Sequence, residues 1–539
     1  MKRHTRDSYY IVGEGVVYCD PKGQPHTEPQ PGDVPDMRKF RFSRMGAKGT
    51  AIDRATLAGL AKAMTDSPGG DSSGPTVPAG YTYLGQFIDH DLTLDKTALS
   101  ATSRVTIDTL LSGRSPALDL DCVYGMGPDD AEDRKFYSDG IRLKTGTTAA
   151  SPDLQSAGAT LPPRDGYDLP RVGQGGTKQA RRAPLIPDPR NDENLIVAQT
   201  HLAMIRFHNR VVDKIAATTP SADLFSKARE LVVKHYQWMV ATDFLPRIID
   251  QSIINDVFTN GRKFFEKDAT PSHMPTMPIE FSVAAYRLGH SMIREQYNWN
   301  RIFRSSPGGT APGSLLFLFQ FTGTSGTLSP PPSTPNDRES GDFERLPSNW
   351  TVDFRRLYDF TESGRSDLTP PEGGPNITMK IDTQLVNPLK NLPHGSAGVP
   401  SSTPPEELNL AFRNLTRANM VELASGQQMA ALMGITPLTA AKLTQGLPAA
   451  LKSVGTQTPL WYYILREAEL NGGKLTGVGG RIVAETFHRA MEGSTHSIVR
   501  DMAFRPNALV ANPSDRFTMA DLLLFAFDGR ADLLNPLGD

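Results

Sequence analysis

The length, composition and charge of the chain describe an ordinary globular protein and exclude several functional classes. It has 539 residues, of which 38% are hydrophobic and 22% charged. With 57 Lys and Arg against 59 Asp and Glu the formal charge is −2, so the total indicates neither a basic nucleic-acid surface nor an acidic tail. The two cysteines, Cys19 and Cys122, are too few for a disulfide framework or a four-cysteine zinc site.

No segment has the pattern of a membrane span or of a Sec signal. The longest apolar runs, LLFLF at Leu315 and LLLFAF at Leu522, are far shorter than the roughly 20 residues that cross a bilayer. The first residues, MKRHTRDSYY, include basic side chains but no apolar stretch follows them. We therefore expect no membrane span and, by default, a cytoplasmic location, with secretion by a non-Sec route left open.

Helical periodicity dominates the chain, and loops rich in Gly and Pro separate the periodic segments. Convincing alternating strands are nearly absent apart from short pieces such as IVGEGVVYCD. We expect a mainly α protein with long irregular loops and few short strands, in which a single large domain at 41–539 follows an N-terminal extension at 1–40. The main irregular loops are predicted at about 66–80, 144–189, 305–340 and 364–375. The predicted helices are DENLIVAQTHLAMIRFHNRVVDKIA, ADLFSKARELVVKHYQWMVATDFLPRII (interrupted before Pro246), FSVAAYRLGHSMIREQ, ELNLAFRNLTRANMVEL, VAETFHRAMEGS and FTMADLLLFAFDG.

His90 is one of two histidines in unusual surroundings. It lies in YLGQFIDHDLT between Asp89 and Asp91, with Gln86 one helical turn before it. Burying three consecutive polar residues is costly unless each has a partner or a metal. Neighbours on a helix point about 100° apart, so one carboxylate could share a pocket with the imidazole while the other enters a separate site. An exposed acidic turn is the alternative interpretation.

His290, in YRLGHSMIR, is the second histidine in unusual surroundings. Gly289 beside it has no side chain, which would let a flat ligand approach the helix closely. Arg287 lies three residues earlier on the same helical face. A neutral imidazole could ligate a metal here while the guanidinium holds a carboxylate of the ligand. A di-iron carboxylate site is disfavoured, because it needs a Glu-x-x-His motif from two helices and only Glu485–His488 provides one.

A third segment, SPALDLDCVYG, places oxygen donors at alternate positions. If it is extended, these donors point the same way and suit a hard cation such as Ca²⁺, with Asp91 supplying further oxygens. An ordinary solvated acidic strand is the alternative interpretation. The candidate donors are Ser115, the Ala117 carbonyl, Asp119 and Asp121.

Six segments together resemble the haem peroxidases of the peroxidase–cyclooxygenase superfamily, which contains the animal-type peroxidases. The resemblance runs in the family's order from about Arg41 to the segment FTMADLLLFA, and its last two motifs are similar to the bacterial branch. The segments are GQFIDHD, LDLDCVYG, DPRNDEN, YRLGH, LPSNWTVDFRR and LASGQ.

The resemblance implies a role for each matching residue. His290 would be the proximal ligand of haem iron, with Asn414 accepting the hydrogen bond of its other ring nitrogen. His90 would be the distal acid–base group. The remaining implied roles are Arg190 for stabilising charge on the peroxide, Gln86 for binding distal water and halide, and Arg287 and Arg417 for neutralising the haem propionates.

The resemblance also implies covalent and metal links. Asp89 and Glu193 match the positions that form ester bonds to haem methyl groups in animal-type members, so the expected cofactor is haem b carrying these links. Asn194 stands where one mammalian member has a methionine bonded to a haem vinyl group, which excludes that third link. Asp91, with the donors at 115, 117, 119 and 121, matches the calcium ligands.

The activity implied is that of a peroxidase that reduces H₂O₂ and oxidises halide, thiocyanate or small phenolic donors. A fatty-acid dioxygenase of the same superfamily is the first alternative, since such enzymes use a tyrosine just before the proximal histidine. Tyr286 lies four residues before His290, in a motif that resembles the peroxidase form. A haem-binding protein without catalysis is the second alternative, although it would need neither Arg190 nor Gln86.

Overall fold

The computed structural model gives the architecture of most of the chain. None of the helices it describes is both long and apolar enough to cross a membrane. The described residues are 8–11, 15–19, 25–26, 41–66, 76–94, 113–271, 273–305, 307–323, 344–392, 404–509 and 515–539.

The predicted mainly α class is confirmed. The long helices pack around a single apolar core, in which α2 and α16 both lie against α5. The α-helices are α1 Arg54–Thr65, α2 Gly80–Leu92, α3 Asp121–Tyr124, α4 Lys178–Arg182, α5 Leu195–Ile215, α6 Ser221–Met239, α7 Leu245–Ile248, α8 Gln251–Asn260, α9 Gly289–Met292, α10 Leu315–Gln320, α11 Leu410–Met420, α12 Gly426–Leu432, α13 Ala440–Thr444, α14 Leu460–Leu470, α15 Gly477–Gly493, α16 Met519–Ala526 and α17 Ala531–Leu534.

The strands are short, and the largest sheet joins the N-terminal residues to the helical domain. The strand order of this sheet is β3-β2-β1-β4-β9, and within it β1 pairs antiparallel with β2 and parallel with β4. The domain boundary at residue 40 stays a prediction. The strands are β1 Ser8–Ile11, β2 Gly15–Cys19, β3 Pro25–His26, β4 Arg41–Ser43, β5 Gly146–Thr147, β6 Ser151–Pro152, β7 Thr160–Leu161, β8 Asp165–Asp168, β9 Met277–Pro278, β10 Gln296–Tyr297 and β11 Gly313–Ser314.

The helix α2 is fixed at its first residue by a close backbone approach. Gly80 donates to the Leu357 carbonyl at 2.9 Å, and the Tyr358 hydroxyl donates to the Gly80 carbonyl at 3.0 Å. A Cβ at Gly80 would collide with the Tyr358 ring, so glycine permits this anchor. The anchor sets the position of the polar residues further along the helix, including His90.

Several local predictions were wrong, and one of them is the loop at about 305–340, which contains β11 and α10. The segment around His290 is not one continuous helix: a π-turn at Glu280–Ala284 and a 3₁₀ turn at Ala285–Leu288 precede α9. The loop at 144–189 is not wholly irregular, since it contains two short strand pairs and α4. The loop before Cys122 is not extended throughout, because Leu120 has a φ of +59° and starts α3.

Candidate functional site

One cavity brings His90 and His290 together, although 200 residues separate them. Among the predicted site residues, Gln86, Asp89, Glu193 and Arg287 also line it. Two imidazoles and these four polar groups therefore face a space whose remaining walls are mostly apolar.

The second ring nitrogen of His290 lies beside the Asn414 amide. Asn414 on α11 places its Nδ2 2.8 Å from His290 Nδ1, whereas the role implied by the resemblance needs its oxygen there. An amide rotated by 180° presents its oxygen at the same place, so the contact suits an Nδ1–H donor. Burial, reinforced by Arg287 and Arg413, lowers the pKa of His290 to about 3. The imidazole is therefore neutral, with Nε2 available as a metal ligand.

Positive charge gathers beside His290. Arg287 lines the cavity, and neither it nor Arg413 forms an ion pair within 4 Å of a described carboxylate, although both are partly buried. Burial, with Glu407 opposing it and Arg287 adding to it, lowers the pKa of Arg413. Arg417 lies one turn after Arg413 on α11, where burial lowers its pKa as well. Guanidinium groups at and near a cavity are suited to an anionic ligand such as a propionate.

Open space beside Gly289 completes the fit to a flat cofactor. Gly289 lines the cavity, and a Cβ built on it would meet no atom within 4 Å. A planar ring system can therefore approach the start of α9 closely, next to the His290 imidazole. A neutral histidine ligand, guanidinium groups and this open face are the features that a haem requires.

On the opposite side, His90 is buried and its protonation state is restricted. Its Nδ1 lies 2.7 Å from Asn191 Oδ1, and its Nε2 lies 3.7 Å from Glu193 Oε1. Burial, reinforced by Arg190, lowers the pKa of His90 to about 4, so the ring is neutral. A neutral imidazole that donates through Nδ1–H keeps a lone pair on Nε2. His90 can thus accept a proton from a molecule in the cavity.

Asn194 determines which way the Gln86 amide points. The Asn194 Oδ1 caps α5 by accepting from the Val197 amide at 3.0 Å, which leaves Nδ2 to donate to Gln86 Oε1 at 2.8 Å. Gln86 Nε2 then donates to Glu193 Oε1. Burial raises the pKa of Glu193 to about 7, with Arg190 opposing the rise. Gln86 therefore turns its N–H donors, rather than its oxygen, towards the cavity.

Arg190 lies next to the distal residues but is not among the residues that line the cavity. Its Nη2 donates to the His90 carbonyl at 3.1 Å and to Asp188, leaving Nη1 without a hydrogen-bond partner among the described residues. Burial alone would raise the pKa of Asp188, but Arg114 and Arg190 outweigh it and hold that pKa well below its usual range. The role of Arg190 stays a prediction.

The predicted calcium donors are all buried. Among the residues described, no group of three or more His, Cys, Asp or Glu side chains is arranged to hold a metal ion. Asp91 instead accepts from the Leu120 amide at 3.1 Å, while Asp119 accepts from Ser494. The turn at Leu120 ends the alternation that was predicted to align Ser115, the Ala117 carbonyl, Asp119 and Asp121.

Negative charge is nevertheless concentrated in this loop. Burial, with Asp119 and Asp91 nearby, raises the pKa of Asp121 well above its usual range. Asp121 Oδ2 has no hydrogen-bond partner among the described residues. Burial raises the pKa of Asp91 to about 7. The donor chemistry is suited to a cation, whereas the present arrangement of the oxygens is not.

The sequence interpretation assigned no contact with the predicted residues to Asn191, Asn194 or Arg413, although it named Asn194 for the absence of a methionine there. Both asparagines belong to DPRNDEN, and each lies within four residues of the predicted Arg190. Arg413 directly precedes Asn414 and lies one helical turn before Arg417. Their place within the motifs was the only available signal, because their hydrogen bonds and charges act on residues far away in the chain.

The fold and the cavity define a helical protein with a space between two histidines that suits a flat cofactor, and solved structures share this fold. Peroxidase A from Dictyostelium discoideum superposes with a TM-score of 0.54 at 13% identity, covering 92% of this chain and 94% of that chain. A fatty acid alpha-dioxygenase from Arabidopsis thaliana superposes with a TM-score of 0.52 at 12% identity, covering 90% of this chain and 78% of that chain. At these identities the likeness concerns the fold alone.

Sequence comparison relates part of the chain to one family. Residues 100–312 match the family model described as animal haem peroxidase. A peroxidase-like protein from Margaritifera margaritifera is 25% identical over 227 residues, which are 39% of this chain and 26% of that protein. The chain spans about a quarter or less of the length of the first curated relatives it matches. The match covers about two fifths of the chain, whose residues 100–312 are thus similar to an animal haem peroxidase domain, and that family's name implies a haem cofactor. The bacterial branch stays a prediction.

Proposed function

We propose that the protein is a haem peroxidase that reduces H₂O₂ and oxidises halide, thiocyanate or small phenolic donors. The observation that carries this proposal is the single cavity with His290 on one side and His90 on the other. His290, supported by Asn414, is the proposed iron ligand. Arg287 and Arg417, joined by Arg413, are the proposed partners of the haem propionates.

The distal residues supply proton transfer. When bound, haem supplies the two electrons that reduce H₂O₂ to water. His90 Nε2 accepts a proton from one oxygen of H₂O₂ and returns it to the other, so that water leaves as the O–O bond breaks. Gln86 donates N–H groups to the water or halide beside it. Arg190, placed against the His90 carbonyl at 3.1 Å, would stabilise negative charge on the peroxide through its remaining N–H groups.

A fatty-acid dioxygenase is the second candidate, and Tyr286 is the observation that favours it. Tyr286 lines the cavity, and its hydroxyl has no hydrogen-bond partner among the described residues. Its ring stacks on Phe281 with centroids 4.6 Å apart. The hydroxyl is thus placed where it could react with a bound substrate, as the tyrosine of such dioxygenases does.

Two assays on the purified haem protein separate these functions. We expect H₂O₂-dependent oxidation of iodide, thiocyanate or guaiacol, and no oxygen uptake with linoleate. Tyr286→Phe should leave donor oxidation unchanged, because the phenol plays no part in proton transfer by His90. Oxygen uptake with linoleate that disappears in Tyr286→Phe would instead establish the dioxygenase.

We further propose that Asp89 and Glu193 carry ester bonds to the haem. Both carboxylates line the cavity, as this link requires. After turnover with H₂O₂, a denaturing gel stained for haem should show haem retained on the wild-type chain. Asp89→Asn and Glu193→Gln should each leave one link, and the double variant should lose the stain. Full retention in the double variant would contradict the assignment.

Calcium is our proposal for the loop that contains Asp91, Asp119 and Asp121. It is supported by the buried, mutually repelling carboxylates rather than by a formed site. A bound divalent cation would compensate this charge and draw the oxygens together. Metal analysis of the purified protein tests it directly.

A further inference from the structure

One amide side chain joins the imidazole of His90 to a second buried imidazole. Asn191 Oδ1 lies 2.7 Å from His90 Nδ1, and Asn191 Nδ2 lies 2.9 Å from His201 Nδ1. His201 lies on α5, and neither it nor Asn191 is exposed to solvent. The three side chains form a continuous hydrogen-bonded row that leads from the cavity into the core.

The protonation of both rings follows from the direction of this amide. Burial lowers the pKa of His201 to about 3, and contact with the two ends of one amide fixes which nitrogen of each neutral ring carries its hydrogen. With the amide oxygen towards His90, the hydrogen of His90 is on Nδ1 and the Nε2 lone pair faces the cavity. With the amide nitrogen towards His201, the lone pair of His201 is on Nδ1 and its hydrogen is on Nε2.

Reversing the amide would exchange both tautomers together. The amide nitrogen would then donate to His90 Nδ1, and the His90 hydrogen would move to Nε2. An Nε2–H group cannot accept the proton of H₂O₂, so the reversed amide disables His90 as a base. Holding a catalytic imidazole in the wrong tautomer costs about 10⁴-fold in a serine protease. The direction of one buried amide thus decides whether the distal base works.

The turn that carries Asn191 is fixed on both sides. The Asn191 backbone donates to the Asp188 carbonyl at 3.1 Å, and Asp188 also binds Arg190. Asp192 pairs with Arg171. Because the backbone is held, only rotation of the Asn191 side chain remains. The contact of its Nδ2 with His201 Nδ1 opposes that rotation, and His201 Nε2 has no hydrogen-bond partner among the described residues.

We propose that Asn191 and His201 are positioning residues that hold His90 in the tautomer with its hydrogen on Nδ1. Neither residue lines the cavity, so each acts through His90 rather than on the substrate. The inference rests on the proposed peroxidase function and deepens it, because it explains how a histidine far from solvent is kept ready to accept a proton.

The test compares four variants of the haem-loaded protein at one pH. Asn191→Leu removes the acceptor for His90, and Asn191→Asp keeps an acceptor oxygen at the same place. His201→Leu removes the group that selects the amide direction. His208→Leu is the matched control, since His208 is equally buried on the same helix but bonds Tyr124 and the Ile141 carbonyl away from the cavity.

Two readouts are expected to change together. The rate constant for reaction with H₂O₂, measured by stopped flow, should fall by about 10- to 100-fold in Asn191→Leu and His201→Leu. Asn191→Asp should recover most of this loss, and His208→Leu should react like wild type. The C–O stretching band of the reduced, CO-bound protein should gain a lower-frequency component in Asn191→Leu and His201→Leu, because an Nε2–H group donates to the bound CO.

The outcomes separate this inference from the proposed function. A wild-type protein that binds no haem or does not react with H₂O₂ would overturn the function itself. If wild type reacts but Asn191→Leu matches its rate and its CO band, only the positioning role is overturned. A fall in the rate constant of Asn191→Leu that is not recovered in Asn191→Asp would also overturn the positioning role. Should Asn191→Leu fail to retain haem, His201→Leu decides the matter with the same two readouts.

Discussion

Replacing His290 with glycine is expected to yield a folded protein that retains no haem and shows no Soret absorption. The proposed iron ligand is then missing, and the neighbouring guanidinium groups alone cannot hold the metal. Haem content of the purified variant, measured by absorption after extraction into pyridine, checks this. Asn414→Leu should give a milder effect, about a 10- to 100-fold weaker retention of haem, because such partners orient the ligand without binding the metal.

Added imidazole provides the control for this experiment. An imidazole molecule can enter the space left by the side chain and restore the missing nitrogen ligand, so haem binding and the Soret band should return. Rescue would show that His290→Gly is folded and lacks only the ligand. Undiminished haem content in His290→Gly without imidazole would remove His290 as the iron ligand.

Replacing His90 with leucine is expected to leave haem content unchanged and to slow the reaction with H₂O₂ by about 10²- to 10⁴-fold, the usual contribution of a positioned acid–base group. His90 lies on α2, across the cavity from His290, so its loss leaves the proposed iron ligand in place. Stopped-flow absorption with excess H₂O₂ measures the rate constant.

His208→Leu again serves as the comparison, because it removes a buried histidine at a site outside the cavity. It should bind haem and react with H₂O₂ as wild type does. Equal rate constants for His90→Leu and His208→Leu would mean that another group transfers the proton.

The sequence motifs predicted the class of fold and the main pair of histidines. The helix assumed around His90 in GQFIDHD corresponds to α2, and Asp89 and His90 line the cavity while Asp91 is buried elsewhere. The contact between Asn414 and His290, 124 residues apart, was implied by family resemblance. Periodicity could not have given it, because spacing within one helix contains no information about which distant residue lies opposite.

The remaining features depend on contacts that no local pattern encodes. The broken helix before His290 was missed because FSVAAYRLGH has helical periodicity although a π-turn and a 3₁₀ turn form there. The left-handed backbone conformation of Leu120 ends the extended stretch on which the predicted alignment of the calcium donors depended. Asn191 and Asn194 could not be assigned roles from the sequence, because each role depends on the direction of a side-chain amide that contacts His90 or Gln86.

The most direct test of the central claim is a crystal structure of the haem-loaded protein. The account predicts haem in the cavity beside Gly289, with iron bonded to His290 Nε2 and the His90 imidazole facing the iron from the opposite side. Haem bound elsewhere, or iron ligated by a residue other than His290, would contradict it.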